Sequence, residues 1–176
     1  MSGEESNIIL RNFADNGRFP NNADLPLVII TAALDPSTVS PEKFERTFTQ
    51  NSWPAAWRNG LYDFNHYHSS AHEVLGIYAG WVNACFGGPG GETFKAEAGD
   101  IIIIPAGVSH CNMGQSDDFR VVGGYPAGQK WDMMHGEDGE RPAADENIMN
   151  VAKPLSDPVF GPTGPLMKFW ASASLI

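Results

Sequence analysis

Cysteine, cationic residues and long apolar runs are all scarce in this chain. Two cysteines in 176 residues, Cys85 and Cys111, are too few for a disulfide scaffold. Eleven Lys and Arg stand against 21 Asp and Glu, and the resulting formal charge of −10 argues against nucleic acids and anionic membranes as partners. No apolar run approaches the roughly 20 residues that span a bilayer, and no secretory leader is visible, so we expect a reducing, cytoplasmic setting.

The residues that are abundant predict a globular, β-rich chain. Hydrophobic residues make up 42% and charged residues 18%, a balance that supports one packed domain. Nineteen Gly and 13 Pro favour many turns. Between Gly60 and Pro126, short β-rich runs recur between Gly or polar turns: LYDFNHYH, EVLGIYA, GWVNACF, ETFKAEA, DIIIIP, SHCNM and FRVVGGY. Six or seven such strands predict an all-β sandwich or barrel.

The flanking segments read as arms of the same single domain. We expect residues 1–58 to form an N-terminal strand and helix arm that packs on the barrel, residues 59–126 to form the barrel core, and residues 127–176 to form an irregular C-terminal arm that packs back. LPLVII (25–30) predicts a strand. Ser40 and Pro41 predict the start of a helix with Phe44 and Phe48 on one face. The arms could instead mediate dimerisation.

Histidines cluster beside a glutamate in the stretch HYHSSAHE. His66 and His68 lie two positions apart, so on a strand both point to one face. Glu73 begins the next predicted strand and shares its parity with Leu75 and Ile77, so it should face the interior. A carboxylate is costly to bury unless it is paired or binds a cation. This pattern predicts a metal site.

A second segment, GDIIIIPAGVSHCNMG, supplies a further imidazole. Its buried strand ends in a turn that contains Pro105 and Gly107, and His110 then begins another strand. Tight turns on both sides fix the register of His110 relative to the interior.

Both segments resemble the two signatures of the cupin superfamily. The first reads Gly60-x5-His66-x-His68-x4-Glu73-x6-Gly80, and the second reads Gly99-x5-Pro105-x-Gly107-x2-His110. Only 18 residues separate them, as in compact single-domain cupins. The second departs from the family pattern at Gly114, a turn position where the family has Asn. Further stretches, including FPNNADLPLVI, WRNGLYDF and DPVFGPTGPL, are similar to the YjlB-type cupins.

The resemblance implies a small RmlC-like jelly-roll barrel of antiparallel strands. It also implies a divalent transition metal held by four side chains, His66, His68, Glu73 and His110. Three nitrogens and one oxygen suit Fe, Mn, Ni, Co, Cu or Zn. His72, by strict alternation, faces away from Glu73 and is expected to hydrogen-bond at the turn or to support a ligand.

Other residues near these ligands are candidates for contact with a substrate. Tyr62 and Phe64 share the parity of His66 and His68, so both should line the cavity, and Tyr62 is the better candidate for catalysis. Asn112 shares the parity of His110 and is the second catalytic candidate.

These expectations favour a metal-dependent cupin enzyme that acts on a small organic molecule. Dioxygenase chemistry is the first hypothesis and isomerisation the second. The alternative is a non-catalytic cupin module that binds a metal or a small molecule. Family habit favours a homodimer.

Overall fold

The computed structural model describes residues 7–171, which form two antiparallel β-sheets and three helices. The outermost residues of the two predicted arms, 1–6 and 172–176, lie outside the described residues. The elements are β1 Ile8–Phe13, β2 Asn22–Ile30, α1 Pro41–Gln50, β3 Ala55–Asn59, β4 Glu73–Ala79, β5 Trp81–Phe86, β6 Glu92–Glu97, β7 Ile101–Ile104, β8 His110–Gln115, β9 Arg120–Gly124, α2 Ala143–Asn150 and α3 Pro165–Ala171. None of the helices within this range is long and apolar enough to cross a bilayer.

The six-stranded sheet has the order β1-β2-β7-β4-β9-β3, and the three-stranded sheet has the order β6-β5-β8. The inner faces of the sheets meet in one apolar core, to which β4 contributes Leu75 and Ile77 and β5 contributes Val82 and Phe86. This is the jelly-roll form of the predicted all-β fold, with two facing sheets in place of a fully closed barrel.

The outer face of the large sheet is covered as well. Ile102 and Ile104 of β7 face the inner core, whereas Ile101 and Ile103 face a second core under α1 and α3. Burial on both faces explains why β7 is an unbroken apolar run and not an alternating one.

Helix α1 begins where the sequence predicts. The Ser40 hydroxyl accepts a hydrogen bond from the Lys43 N–H at 3.1 Å, and Phe44 and Phe48 are fully buried against the sheet. The Phe44 ring lies over Gly76, where a Cβ would come within 2.6 Å of it, so the absence of a side chain there lets the helix approach β4.

The N-terminal elements belong to the large sheet. Among residues 7–59, β1, β2 and β3 are strands of that sheet, and β2 pairs with β7 in its interior. LYDFNHYH is not a strand. Only His66 and Tyr67 form isolated bridges, to His110 and Met134.

The described part of the C-terminal segment, up to residue 171, packs back on the sheets. Trp170 of α3 is buried, and its indole N–H donates to the Pro26 carbonyl at 2.9 Å. Between β9 and α2, the chain passes over the mouth of the jelly roll and bridges to Tyr67 through Met134, with two backbone hydrogen bonds of 2.9 Å.

Candidate metal centre

Three buried imidazoles converge at one end of the jelly roll. His110 begins β8, as predicted, whereas His66 and His68 lie on the loop before β4 and not on the predicted strand. Their ligand atoms all lie within 4.8 Å of one another. The bridge between His66 and His110 fixes this approach, since each residue donates its backbone N–H to the carbonyl of the other, at 3.2 and 2.9 Å. Three of the four predicted ligands are therefore positioned to hold a metal ion.

Each of the three rings is oriented by a backbone carbonyl. The Nδ1 atom of His66 lies 2.9 Å from the Phe64 carbonyl, that of His110 lies 3.0 Å from the Val108 carbonyl, and that of His68 contacts the Asp132 carbonyl. A carbonyl can only accept, so Nδ1 carries the proton in each ring. The Nε2 lone pairs are left free, and this is the tautomer that binds a metal through Nε2.

Glu73 lies beside the three histidines, on the large sheet. It begins β4, as predicted, and its side chain is buried. One carboxylate oxygen, Oε1, accepts a hydrogen bond from the Tyr125 hydroxyl at 3.1 Å. The other, Oε2, has no hydrogen-bond partner and lies 3.4 Å from His68 Nε2 and 3.2 Å from His110 Nε2. Acceptors that face one another in a buried site require a positive charge between them, so the donor set fits a metal cation.

The pKa shifts in this cluster follow from burial and mutual charge. Burial, reinforced by the neighbouring His110, lowers the pKa of His66 to about 3, so this ring is a neutral ligand. Burial also opposes ionisation of His68 and Glu73, but their attraction dominates: the pKa of His68 is raised and that of Glu73 is lowered below its usual range.

A chain of hydrogen bonds from Trp57 through Tyr125 holds Glu73 in place. The Trp57 indole N–H donates to the Tyr125 hydroxyl at 2.9 Å, and this hydroxyl donates to Glu73. Burial, followed by the charge of Glu73, raises the pKa of Tyr125, so the hydroxyl keeps its proton. The sequence analysis missed Tyr125, although strand alternation could have found it. Val121 of β9 faces the inner core, and Tyr125 has the same parity.

Asp132 holds the segment that orients His68. Its carboxylate accepts from the Ser69 backbone N–H at 2.6 Å and from the Ser69 hydroxyl, while its own carbonyl contacts the His68 ring. Asn147 of α2 donates to the same hydroxyl at 3.1 Å. No sequence signal marks Asp132, because it lies in an irregular loop 64 residues after His68.

The remaining predicted site residues take different places. Tyr62 lines the cavity at its mouth and is 51% exposed. Phe64 does not line the cavity, so the prediction that it would was wrong; its ring stacks on Tyr62 and makes a tilted contact with His135. The reason is that the loop 60–68 does not have strand periodicity. Asn112 also lies off the cavity, where its amide donates to the Leu61 carbonyl at 3.2 Å and supports the wall.

His72 faces away from the cluster, as alternation predicts. Its Nδ1 accepts the Ala106 N–H at 2.9 Å, and its ring packs on Trp170 with 4.8 Å between centroids. This histidine therefore joins the turn before β4 to helix α3.

The centre lies at the bottom of a cavity of about 210 Å³. Its walls come from β3, the loop that follows it, β4 and the segment after β9: Trp57, Asn59, Gly60, Leu61, Tyr62, Leu75, Tyr125, Trp131 and Met133. One side of the histidine cluster is therefore open to small molecules.

Comparison with known proteins assigns the family. No protein-family model matches the chain. It is 38% identical over 158 residues to the uncharacterized protein YjlB of Bacillus subtilis, covering 90% of this chain and 93% of that protein.

Two solved structures are also similar in fold. A DUF861 family protein from Thermotoga maritima aligns at 22% identity over 48% of this chain and 90% of its own, with a TM-score of 0.32. The dTDP-6-deoxy-D-glucose-3,5-epimerase RmlC from Legionella pneumophila aligns at 14% identity over 68% of this chain and 72% of its own, with a TM-score of 0.34. Both scores are below 0.5, so the assignment depends on YjlB together with the jelly roll and its two signatures. On that basis the chain belongs to the same family of cupins as YjlB.

Proposed function

We propose that this protein is a metal-dependent cupin enzyme that acts on a small organic molecule. One observation carries the proposal: the ligand atoms of three buried imidazoles converge within 4.8 Å of one another at the bottom of an open cavity. Two of them, His68 and His110, place Nε2 within 3.4 Å of a carboxylate oxygen that has no hydrogen-bond partner. A structural metal site is normally closed by protein ligands, whereas a catalytic one keeps an accessible side.

The proposed ligands are His66, His68, His110 and Glu73. Three neutral nitrogens and one carboxylate suit Fe(II), Mn(II), Ni(II), Co(II), Cu(II) or Zn(II). A bound ion of this kind would supply Lewis acidity and, if it is iron, access to dioxygen chemistry. Oxygen-dependent chemistry is therefore the first form of the proposal, isomerisation of an oxygenated substrate is the second, and a non-catalytic binding module is the alternative.

The surrounding side chains have distinct parts in this proposal. Glu73 is a ligand, so it is not available as a general base. Tyr125 keeps its proton and holds Glu73 by donating to Oε1. Tyr62, half-exposed at the mouth, is the residue best placed to exchange a proton with a bound molecule and with solvent. Leu61, Leu75 and Met133 make the walls apolar and limit water.

Metal analysis of purified protein, followed by oxygen-electrode assays of the Fe(II)-loaded form, tests the proposal. We expect about one transition-metal ion per chain and a sharp loss of metal in His110→Ala. The matched control is His135→Ala, because His135 packs on Phe64 outside the cluster. Equal metal content in both variants would refute the ligand assignment. Turnover at full rate without oxygen would refute the oxygenase form and leave isomerisation.

A further inference from the structure

The walls of the cavity that leads to the cluster contain no Lys or Arg. Among the described residues that line it, Glu73 is the sole carboxylate, and it lies with the histidines at the bottom. An anionic substituent that lies against these walls, away from the proposed ion, loses its hydration and gains no pairing in return. The chain's formal charge of −10 adds a repulsive field for anions. The walls therefore select against molecules that carry a phosphate or carboxylate away from the edge that faces the histidine cluster.

Two aromatic pairs contribute to the cavity. In one pair, Tyr62 stacks on Phe64 with 4.9 Å between centroids and makes an edge contact with His66 at 5.5 Å. In the other pair, Trp131 stacks on Tyr125 at 5.7 Å and makes an edge contact with His68 at 5.7 Å. Each pair contacts a histidine of the cluster, so both pairs are held in place before any ligand binds.

These aromatic rings are more exposed than packing alone requires. Tyr62 is 51% exposed and Trp131 is 46% exposed. Large apolar side chains that remain exposed at the mouth of a cavity mark a surface for binding. Flat aromatic faces favour planar π-systems, whose offset or edge contacts add to the free energy of burial.

The size of the cavity sets a limit on the ligand. Its volume of about 210 Å³ is below the range typical of drug-sized ligands. A closed apolar cavity of about 150 Å³ holds one benzene ring. One six-membered ring with small substituents therefore fits inside the cavity, whereas a larger ring system would extend out of the opening.

We propose that the substrate is an uncharged, planar, single-ring molecule that carries oxygen donors at one edge. The ring packs on the exposed faces of Tyr62 and Trp131, and the oxygen-bearing edge faces the histidine cluster. This substrate class rests on the proposed function for the role of the oxygens, but the preference for a neutral ring follows from the walls alone.

Calorimetric titration with three probes tests this inference. Catechol is neutral and planar, cis-cyclohexane-1,2-diol is neutral and not planar, and 3,4-dihydroxybenzoate is planar and anionic. We expect the Zn(II)-loaded protein to bind catechol about tenfold or more tightly than either of the other two. Zn(II) is used because it does not oxidise catechol.

Variants identify the aromatic walls as the cause. Tyr62→Ala and Trp131→Ala should each weaken catechol binding by about fivefold or more and leave the binding of the cyclohexanediol unchanged. Phe160→Ala is the matched control, since Phe160 is 47% exposed and lies in a different groove. Unchanged catechol affinity in both wall variants, or equal affinity for 3,4-dihydroxybenzoate, would overturn the inference.

The same titrations on metal-free protein separate this inference from the proposed function. If the protein takes up Zn(II) but does not distinguish the three probes, the substrate class fails and the metal site stands. If the protein takes up no metal, the proposed function fails. In that case a preference for catechol over the cyclohexanediol still supports the aromatic walls, and equal affinities overturn them.

Discussion

At the residue scale, the two carboxylate oxygens of Glu73 have unequal hydrogen-bonding environments. Its Oε1 is satisfied by Tyr125, while its buried Oε2 faces only ring nitrogens. A buried carboxylate of this kind is stable only when a positive charge lies beside it. The pKa of His68 is raised for the same reason, because the attraction of Glu73 for a protonated His68 outweighs the effect of burial. The hydrogen bond from Tyr125 therefore leaves Glu73 with one oxygen directed at the cluster.

Replacing Tyr125 by Phe should weaken this arrangement without removing a ligand. Tyr125→Phe deletes the donor to Glu73 and leaves the Trp57 N–H without its acceptor. We expect metal affinity to fall by about tenfold and the free energy of unfolding of metal-free protein to fall by about 1 kcal/mol. Competition with a chromophoric chelator measures the affinity. Tyr78→Phe is the control, because Tyr78 is on β4, the strand of Glu73, but packs on the second core under α1 and α3. An equal effect in this variant would contradict the supporting role of Tyr125.

The convergence of the proposed ligands could be predicted from the sequence because two of them begin regular strands. Glu73 and His110 open β4 and β8, where alternation with period two determines the face. Tyr62 and Phe64 were harder, because the loop before β4 takes its shape from bridges to His110 and Met134, and no local pattern encodes these contacts. The role of Asp132 could not be predicted for the same reason, since it depends on a tertiary contact with His68.

At the scale of elements, the contact between β3 and β9 depends on a missing side chain. The Trp57 ring lies across Gly123, where a Cβ would be 2.1 Å from the ring. Because the ring can lie this close to the β9 backbone, its N–H reaches the Tyr125 hydroxyl. A glycine in a central strand is otherwise unfavourable, so its presence here reflects this close approach.

Gly123→Ala should therefore be destabilising. The added methyl group forces Trp57 away from β9, and we expect the free energy of unfolding to fall by about 1–3 kcal/mol through overpacking. Gly60→Ala is the matched control, because a Cβ at Gly60 would meet nothing within 4 Å. Urea denaturation of both variants measures the difference. A loss in Gly123→Ala no larger than that in Gly60→Ala would show that the ring moves aside at no cost.

The segment after β9 has an acid-sensitive attachment. The Glu140 carboxylate accepts from the His135 N–H at 2.7 Å, from the Gly136 N–H at 3.0 Å and from the Tyr67 hydroxyl at 2.8 Å. Burial alone would raise the pKa of Glu140, but these donors lower it below its usual range. The unfolded value is about 4.3. The stabilisation is therefore complete above that pH and is lost as the pH falls through the lower folded value.

Glu140→Gln should remove this pH dependence. We expect the variant to be less stable by about 1–2 kcal/mol at neutral pH, because a neutral amide accepts more weakly than a carboxylate. Between about pH 5 and pH 3 it should then lose less stability than the parent chain. Urea unfolding across this range measures both effects. Glu137→Gln, an exposed neighbour, should follow the parent curve, and parallel curves for Glu140→Gln would contradict the assignment.

At the scale of the whole molecule, the proposed ligands come from three separate parts of the fold. Glu73 belongs to the large sheet, His110 to the small sheet, and His66 and His68 to the loop that connects β3 to β4. The inner core beneath the cluster contains no ligand and buries side chains from both sheets. An ion at this position would join the sheets at one end, while the apolar core holds them together elsewhere. The homodimer expected from the family resemblance stays a prediction.

Metal removal should accordingly lower stability without unfolding the chain. An ion that binds only the folded state, at about 100 times its Kd, adds about 2.7 kcal/mol. For a chain of this size, that corresponds to a Tm shift of about 5–10 °C. Differential scanning calorimetry before and after dialysis against a chelator measures the shift, with far-UV circular dichroism unchanged at 25 °C because the core persists. His110→Ala should show no response to the chelator. Loss of the far-UV signal on chelation would mean that the core depends on the metal, and a metal-loaded parent chain with no Tm shift would mean that the ion is bound elsewhere.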